Sequence, residues 1–481
     1  FNFKHKNLNI LGFKNHNEVL KNFEKTNIAV VCSRWEEPFG RTSLEASSRG
    51  CAVIISDRGG LPETISNGII LTKLDSRILF KEIERLIIDK QQLLKIQKKT
   101  LSKFYLTDNY ISKKIDDYRS TLLRNSLHIN LLKNKKKLKI LHITNFNERH
   151  NGRLFYNSGR RINNGFIRLN HSVLELSDRD IVSYSRKLTD LKGAQKLNTK
   201  FIETVSNYMP DLIVFGHADL IDNQTIEFIK KNHPNIKMCQ WFLDRMDGEW
   251  KSNKVRFTKK MHLMDANFCT TDPKSLNFDK KKPTYYMPNC VDPSLEKLKT
   301  YNNKFYKSDV FFAMSHGVHR GILKKGKVDA REHFIKDLIK ITPNIKFDYY
   351  GLNNIQPIWS EDYLISISQN KIGLNLSQGK PSNFYSSDRF SQLIGNGLLV
   401  MIDVKTKIGN FFTKNEIITY NNKIDLSEKI LKYTRDDKIR KIISKKGRDK
   451  YFKYFNSTII AEFIINKTYE IKKKYYWENF L

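Results

Sequence analysis

The sequence predicts an α/β protein built from Rossmann-like, doubly wound lobes, and two observations predict it. Short apolar runs rich in Val, Ile, Leu and Phe recur along the chain, each followed by a loop and a helical pattern. These runs lack the alternation of a half-exposed strand, as expected for strands buried on both faces of a parallel sheet. The 481 residues leave room for about three domains at roughly 150 residues each. A composition that is 40% hydrophobic and 12% aromatic supplies their cores and excludes a disordered or collagen-like chain.

Taken in order, residues 9–13 read as a strand end, 16–24 as a short helix and 28–32 as a buried strand. A loop and a helix over 43–49 follow, and Gly50 stops that helix as a C′ glycine. Strand 52–56, loop 57–62, strand 68–71 and an amphipathic helix over 76–89 complete a first module, assigned to residues 1–122. The basic run Lys133-Asn134-Lys135-Lys136-Lys137 closes a linker assigned to 123–137. A fresh β-α series begins at 138–143, with strands at 211–215 and 236–242 and a crossover at 285–292, giving a lobe over 138–295. Strands at 309–312, 346–351, 372–376 and 398–402 give the last lobe, 296–481, with a crossover helix expected over 471–481.

The formal charge of +35 admits a polyanion-binding surface. However, Lys, Asn and Ile are over-used in turns and helices alike, so compositional bias is the preferred reading. No RNA-binding aromatic signature, zinc finger or basic zipper stands in the sequence, and no specific nucleic-acid partner is expected. No apolar stretch reaches the roughly 18 residues of a membrane span. The opening, Phe1-Asn2-Phe3-Lys4-His5-Lys6, has no signal-peptide core and no initiator Met, and reads as cut rather than processed. Five scattered cysteines, none in a C-x-x-C pair, suggest free thiols in a reducing cytosol. No Asp-x-Asp site of the metal-dependent GT-A type is read in the sequence, and neither a metal nor a cofactor is expected.

The sharpest motif is Glu37-Pro38-Phe39-Gly40-Arg41-Thr42-Ser43-Leu44-Glu45. Gly40 lets the backbone approach a ligand, and the helix that follows offers free N–H groups to phosphate. Glu37 is placed to accept bonds from sugar hydroxyls and Glu45 to grip a ribose diol. Thr42 to Glu45 is equally a capping box, which would leave Glu45 a helix-stabilising role. A second loop, Ser56-Asp57-Arg58-Gly59-Gly60-Leu61-Pro62-Glu63, favours the ligand reading, because its paired glycines can present amides at the same sheet edge.

These two loops resemble the E-x7-E and Gly-Gly-x-Pro-Glu motifs of retaining GT-B glycosyltransferases of family 4, over residues 9 to about 100. The resemblance implies that Glu37 meets the donor sugar, Gly40 the diphosphate side and Glu45 the ribose, with Gly59, Gly60 and Glu63 completing the donor loop. The first module then reads as a partial GT-B donor lobe, the tail of a truncated enzyme.

From Lys139 onward the chain is similar to a complete two-lobe GT-B enzyme of the CgeB-like, spore-maturation type. Asn151 and Arg153 fall in the loop after its first strand, where acceptors enter such folds. The following Arg160 and Arg161 suit an anion or an exposed helix face, and the exposed face is preferred for Arg161. His217 ends a strand, with structural and functional roles equally open. Asp244 could take a proton from an acceptor hydroxyl or cap the next turn, the cap being preferred. In the last lobe Arg320 and Arg389 are candidates for the donor diphosphate, and Gln392 and Gly397 stand in the place of the family's ribose motif. The departures are Gln392 where a Glu is expected, and Phe384 where the pair's first carboxylate would stand eight residues earlier.

The resulting expectation is a metal-independent hexosyltransferase, soluble or peripheral at the inner face of a bacterial membrane. It would move sugar from a nucleotide-sugar to a carbohydrate or lipid-linked acceptor in surface polysaccharide or lipopolysaccharide assembly. The rivals are a degenerate nucleotide-sugar-binding module and a polyanion-binding protein. Lys472 to Lys474 beside Tyr475, Tyr476 and Trp477 form the candidate membrane contact.

Overall fold

The computed structural model describes residues 4–127, 137–187, 190–191, 193–279, 282–315 and 330–481, which form two compact units divided at residues 128/129. The first unit runs α1 (His16–Glu24), β1 (Ile28–Val31), α2 (Arg41–Ser48), β2 (Ala52–Ser56), β3 (Ile69–Leu71), α3 (Ser76–Ile88), α4 (Lys90–Lys103) and α5 (Asp108–Leu127). Its strands form a parallel sheet in the order β1-β2-β3. The all-apolar β2 is buried at every position and is the centre of that sheet. Asn15 caps α1 in a capping box with Glu18, and Asp75 caps α3, so both helices start where the sequence places them. Residues 9–13 form no strand: they are exposed and β1 is the last strand on that side among the described residues, so no ladder is there to accept them. α5 continues through 122, where the sequence pattern dissolves.

The second unit opens with β4 (Lys139–Thr144), α6 (Ser158–Arg168), β5 (Ser172–Ser177), α7 (Asp178–Tyr184), α8 (Ala194–Tyr208), β6 (Leu212–Gly216) and α9 (Asn223–Asn232). It continues with β7 (Lys237–Phe242), α10 (Lys251–Met261), β8 (Ala266–Cys269) and β9 (Thr284–Tyr286). These strands form one parallel sheet, ordered β5-β4-β6-β7-β8-β9. A second lobe follows with β10 (Ser308–Ala313), α11 (Ala330–Ile341), β11 (Phe347–Tyr350), α12 (Ser360–Ser368), β12 (Asn370–Asn375), α13 (Asp388–Gly395), β13 (Leu399–Asp403) and β14 (Ile418–Tyr420). Helices α14 (Lys423–Arg435), α15 (Asp437–Tyr454) and α16 (Ser457–Thr468) complete it. Its sheet, again parallel, is ordered β11-β10-β12-β13-β14.

The pleat sorts the core. Leu212 and Val214 of β6 face a core shared by both lobes, while Ile213 and Phe215 face a separate one under α8 and α9. The shared core is continuous because α16 crosses back and lies on α6 of the first lobe. A Cβ on Gly165 would run into the Ser457 carbonyl, so this crossing depends on glycine for its closeness. The crossover helix is therefore Ser457–Thr468 and not 471–481. With apolar residues on almost every face, α16 shows none of the one-sided periodicity that marks a surface helix in sequence. Residues 471–481 are extended, with a short 3-10 turn at Tyr476–Asn479. Tyr475 and Trp477 are buried against Phe463, so they are unavailable as a membrane-facing aromatic patch.

His142 of β4 lies fully inside this core, bonded to Asn163 Oδ1 through Nδ1 (3.1 Å) and accepting from Trp241 Nε1 at Nε2 (3.2 Å). Burial pushes its imidazole down to about 4. Since the folded value lies below the unfolded one near 6.5, its stabilisation is complete above that pH and is lost as pH falls from about 6.5 to 4. The loss amounts to about 3 kcal/mol at 1.36 kcal/mol per unit. Urea unfolding followed between those pH values should show it, and His142→Gln, which bonds but does not titrate there, should flatten that part of the curve.

Candidate active site

In a parallel sheet all carboxyl ends share one edge, and ligands enter where the strand order reverses. That point lies between β4 and β6 in the first lobe and between β10 and β12 in the second. The two edges face each other. Arg245, just past β7, donates to the carbonyls of Gln378 (2.8 Å) and Lys380 (2.5 Å) across the cleft, and Ser360 Oγ donates to the Arg153 carbonyl (3.1 Å).

Within the cleft, His217 and Asp244 come together from the ends of β6 and β7, with Nδ1 and Oδ2 3.8 Å apart. Leu243 N–H donates to His217 Nε2 (2.9 Å), so the neutral ring carries its proton on Nδ1, toward Asp244. Burial holds the imidazole below its ordinary value, which keeps it neutral near pH 7. With Nε2 already accepting, His217 orients Asp244 and is not itself placed to take a proton. Asp244 is 58% exposed at its side chain and opens to the cleft; it caps no helix among the described residues, contrary to the preferred expectation. On the far side of His217, Asp219 gathers Arg179 (3.2 Å) and Arg256 (2.5 Å), and Arg256 lies over the Phe242 ring.

Across the cleft, Arg389 stands at the start of α13, over the Phe312 ring (4.7 Å from the centroid) and near the Leu376 carbonyl. Tyr385 joins the two sides. Desolvation first, then the Asp244 carboxylate, raises its phenol above the usual range, while Arg245 and Arg389 oppose that rise. One hydroxyl thus senses the acid of the first lobe and the guanidinium of the second. Ser387, before α13, gives its side chain to Asn375 Oδ1 (3.2 Å) and leaves the helix start without a side-chain cap.

Two donor-site expectations are corrected. Gln392 points into the lobe, donating to Asp388 Oδ2 (2.7 Å) and accepting from Tyr363 (2.7 Å), so its amide serves to hold Asp388. Gly397 lies beyond the far end of α13, eight residues and about 12 Å along the helix from the Arg389 edge. There, at φ 87°, it ends the helix against Tyr301. Arg320 lies outside the described residues.

Arg161 is also corrected. Instead of an exposed helix face, it is wholly buried. Its Nη2 and Nε meet Glu296 (2.6 and 3.1 Å) and its Nη1 meets both oxygens of Asp388 (3.3 and 3.1 Å). Burial opposes its charge, but Asp388 and Glu296 outweigh that and hold it firmly protonated. Two turns on, Arg168 pairs with Asp292. Asn151 is exposed at φ 51°, and Arg153 lies over Trp359 (5.5 Å) with its Nη2 3.4 Å from His150 Nδ1.

In the first unit, Gly40 adopts φ 86° just before α2, and no capping box forms there. Glu45 accepts from Arg41 Nε (2.6 Å) and approaches His16 (3.4 Å). Glu37 accepts from Ser33 and Trp35 (both 3.1 Å). The glycine amides do not point outward as expected: Gly59 N–H donates to Glu36 Oε2 (2.6 Å) and Gly60 N–H to the Glu37 carbonyl (2.6 Å). They brace the Glu37 loop, and Glu63 stays exposed in the next turn. Among the described residues no group of three or more His, Cys, Asp or Glu could hold a metal ion. No helix among them is long and apolar enough to cross a membrane.

Residues 3–102 match the family model of glycosyl transferases group 1, and residues 331–466 match a glycosyl transferase-like model. Two segments of this chain are thus similar to glycosyltransferase families. The second lies in a two-lobed GT-B arrangement of facing parallel sheets. Similar solved structures include TarM (13% identity, 58% of this chain and 58% of that one, TM-score 0.42). The alignment thus spans little more than half of TarM. Others are a glycosyltransferase from Rickettsia africae ESF-5 (10% identity, 70% and 98%, TM-score 0.46) and Anabaena Alr3699/HepE in complex with UDP (12% identity, 69% and 100%, TM-score 0.43). No curated protein matches the chain.

The cleft also contains residues that the sequence did not nominate: Arg179, Asp219, Arg245, Arg256 and Tyr385. Asp219 lies two residues past His217 in the same strand-end loop, a signal that was legible. Arg179, Arg245, Arg256 and Tyr385 owe their places to loops converging from different strands. Glu296 is left buried without a counter-charge if Arg161 is removed, keeping only the bond from the Asp292 N–H (2.7 Å). Arg161→Met should therefore cost about 3–5 kcal/mol in chemical unfolding, and Arg161→Met with Glu296→Met should recover most of it.

Proposed function

We propose that the second unit transfers a sugar from a nucleotide-sugar donor to a hydroxyl of a carbohydrate or lipid-linked acceptor, in the cleft between its lobes. The observation that carries this reading is the meeting of Asp244, oriented by His217, with Arg389 around Tyr385. Asp244 takes the acceptor proton as the hydroxyl attacks the anomeric carbon. The bond to the nucleotide breaks on the opposite side, and its diphosphate leaves toward Arg389 and the uncapped start of α13, whose N–H groups and dipole favour negative charge. Asp388, at that same helix start, is turned toward Arg161, which it shares with Glu296. This mechanism assigns the leaving charge to protein groups and asks nothing of a metal. The inward turn of Gln392 removes it from ribose recognition, so ribose selection falls to other groups of the same edge.

The first unit carries the Glu37, Gly40 and Glu45 donor motif in its own right, and its role is the recognition of a nucleotide-sugar. Assembly of bacterial surface polysaccharide, at the cytoplasmic side of the membrane, is the process that suits two such units. The CgeB-like type is the proposed kinship of the second.

UDP-, GDP-, ADP- and CMP-sugars offered to the full chain should show saturable binding of one nucleotide. Arg389→Ala should weaken that binding. Asp244→Asn should retain it and lower donor turnover by about 10²–10⁴-fold, the usual share of a general base. Binding without turnover in the wild type would make the unit a nucleotide-sugar-binding module, and binding of none would overturn the reading. Affinity that collapses with salt but ignores the nucleotide would return the +35 charge to the centre of the problem.

A further inference from the structure

The loop after β4 and the loop before α12 meet at a place the mechanism above does not use. Arg153 of the first lobe stacks on Trp359 of the second at 5.5 Å. Both carry buried N–H donors with no acceptor among the described residues: Arg153 Nε and Trp359 Nε1. Orphaned buried donors are costly and uncommon, and two of them on stacked partners mark a place that lacks its acceptor. His150 Nδ1 accepts from Arg153 Nη2 (3.4 Å) and steadies the guanidinium, because an arginine cannot accept. Arg149 is already held by Asp180, but Arg153 pairs with no carboxylate among the described residues. The nearby acids Glu148, Glu361 and Asp362 stay exposed and make no ion pair with it there.

We propose that Arg153 and Trp359 form a subsite for a phosphate group borne by the acceptor. A guanidinium with a further indole N–H outside its plane offers bonds to three oxygens, more than the two coplanar oxygens of a carboxylate require. Arg153 comes from the loop after β4, in the lobe opposite that of Arg389, and Trp359 completes the subsite from the second lobe. Assignment of the phosphate to an acceptor rests on the transferase reading; the anion subsite itself does not. Parting of the two loops enough to admit a phosphate gives both buried donors their missing acceptor at once.

The test is the ¹⁵N spectrum of the five tryptophan indoles in the full chain, titrated with inorganic phosphate at constant ionic strength. The Trp359 signal, identified by its loss in Trp359→Phe, should shift saturably. The other four report that the fold is intact. Arg153→Gln should weaken the response at least tenfold, and Arg153→Lys, which keeps the charge without the fork, should fall between. No Trp359 shift, or an unchanged shift in Arg153→Gln, overturns the subsite and reduces phosphate binding to the general basic surface. A second arm adds UDP, GDP or ADP. If the nucleotide displaces phosphate from Trp359, the assignment to the acceptor is overturned, whereas independent binding of the two supports it. Since the phosphate arm needs no sugar transfer, a failed donor panel leaves its result readable.

Discussion

One guanidinium with no access to water holds the second unit in a single arrangement. Arg161 projects from α6 of the first lobe and ends between Glu296, on the segment crossing to the second lobe, and Asp388, on the first turn of α13. A buried charge is tolerated only with its counter-charges and hydrogen bonds in place, so those three elements cannot part without stranding one of them. Lysine could not reproduce this, because its donors all radiate from one nitrogen, whereas Nε and Nη2 meet Glu296 while Nη1 meets both oxygens of Asp388. The residue next to Asp388 is Arg389, so the ion cluster that closes the lobe junction also fixes where the donor-facing arginine begins.

The same logic of anchored neighbours runs through the cleft. His217 is fixed by the Leu243 amide, Asp219 by two arginines, Gln392 by Tyr363 and Asp388, and Arg245 by two carbonyls of the opposite lobe. Asp244 is the exception, with a single long contact to His217 and most of its side chain in solvent. A group that must take a proton needs an unshared lone pair facing the reactant. Tight neighbours around one loosely held carboxylate leave that lone pair oriented without occupying it.

Much of the fold was legible in sequence because strands buried on both faces leave continuous apolar runs. β2, β4, β6, β7, β10, β12 and β13 all fall on such runs, within a residue or two. The helices over 16–24 and 76–89, which start on an Asn and an Asp cap, were equally plain. What escaped detection was whatever depends on a partner distant in sequence. Residues 9–13 carry a strand-like pattern, yet a strand exists only with a neighbour to bond. α16 is apolar on nearly all faces because it is sandwiched between lobes, and a buried helix hides its periodicity.

The candidate site divides along the same line. Strand-end residues such as His217, Asp244 and Arg389 could be nominated because the edge of a parallel sheet is predictable from the strand pattern alone. Arg161 could not. At its position the sequence offers an arginine one turn into a helix, beside another arginine, and the commonest fate of such a residue is solvent. Its partners stand 135 and 227 residues further along, and nothing local records that α6 will face them. The group that neutralises a charge is legible in sequence only when it is near in sequence, as with Lys14 and Glu18. Where the neutralising group comes from another lobe, burial inverts the expectation. The residue that looks most soluble becomes the one that the lobe junction cannot lose.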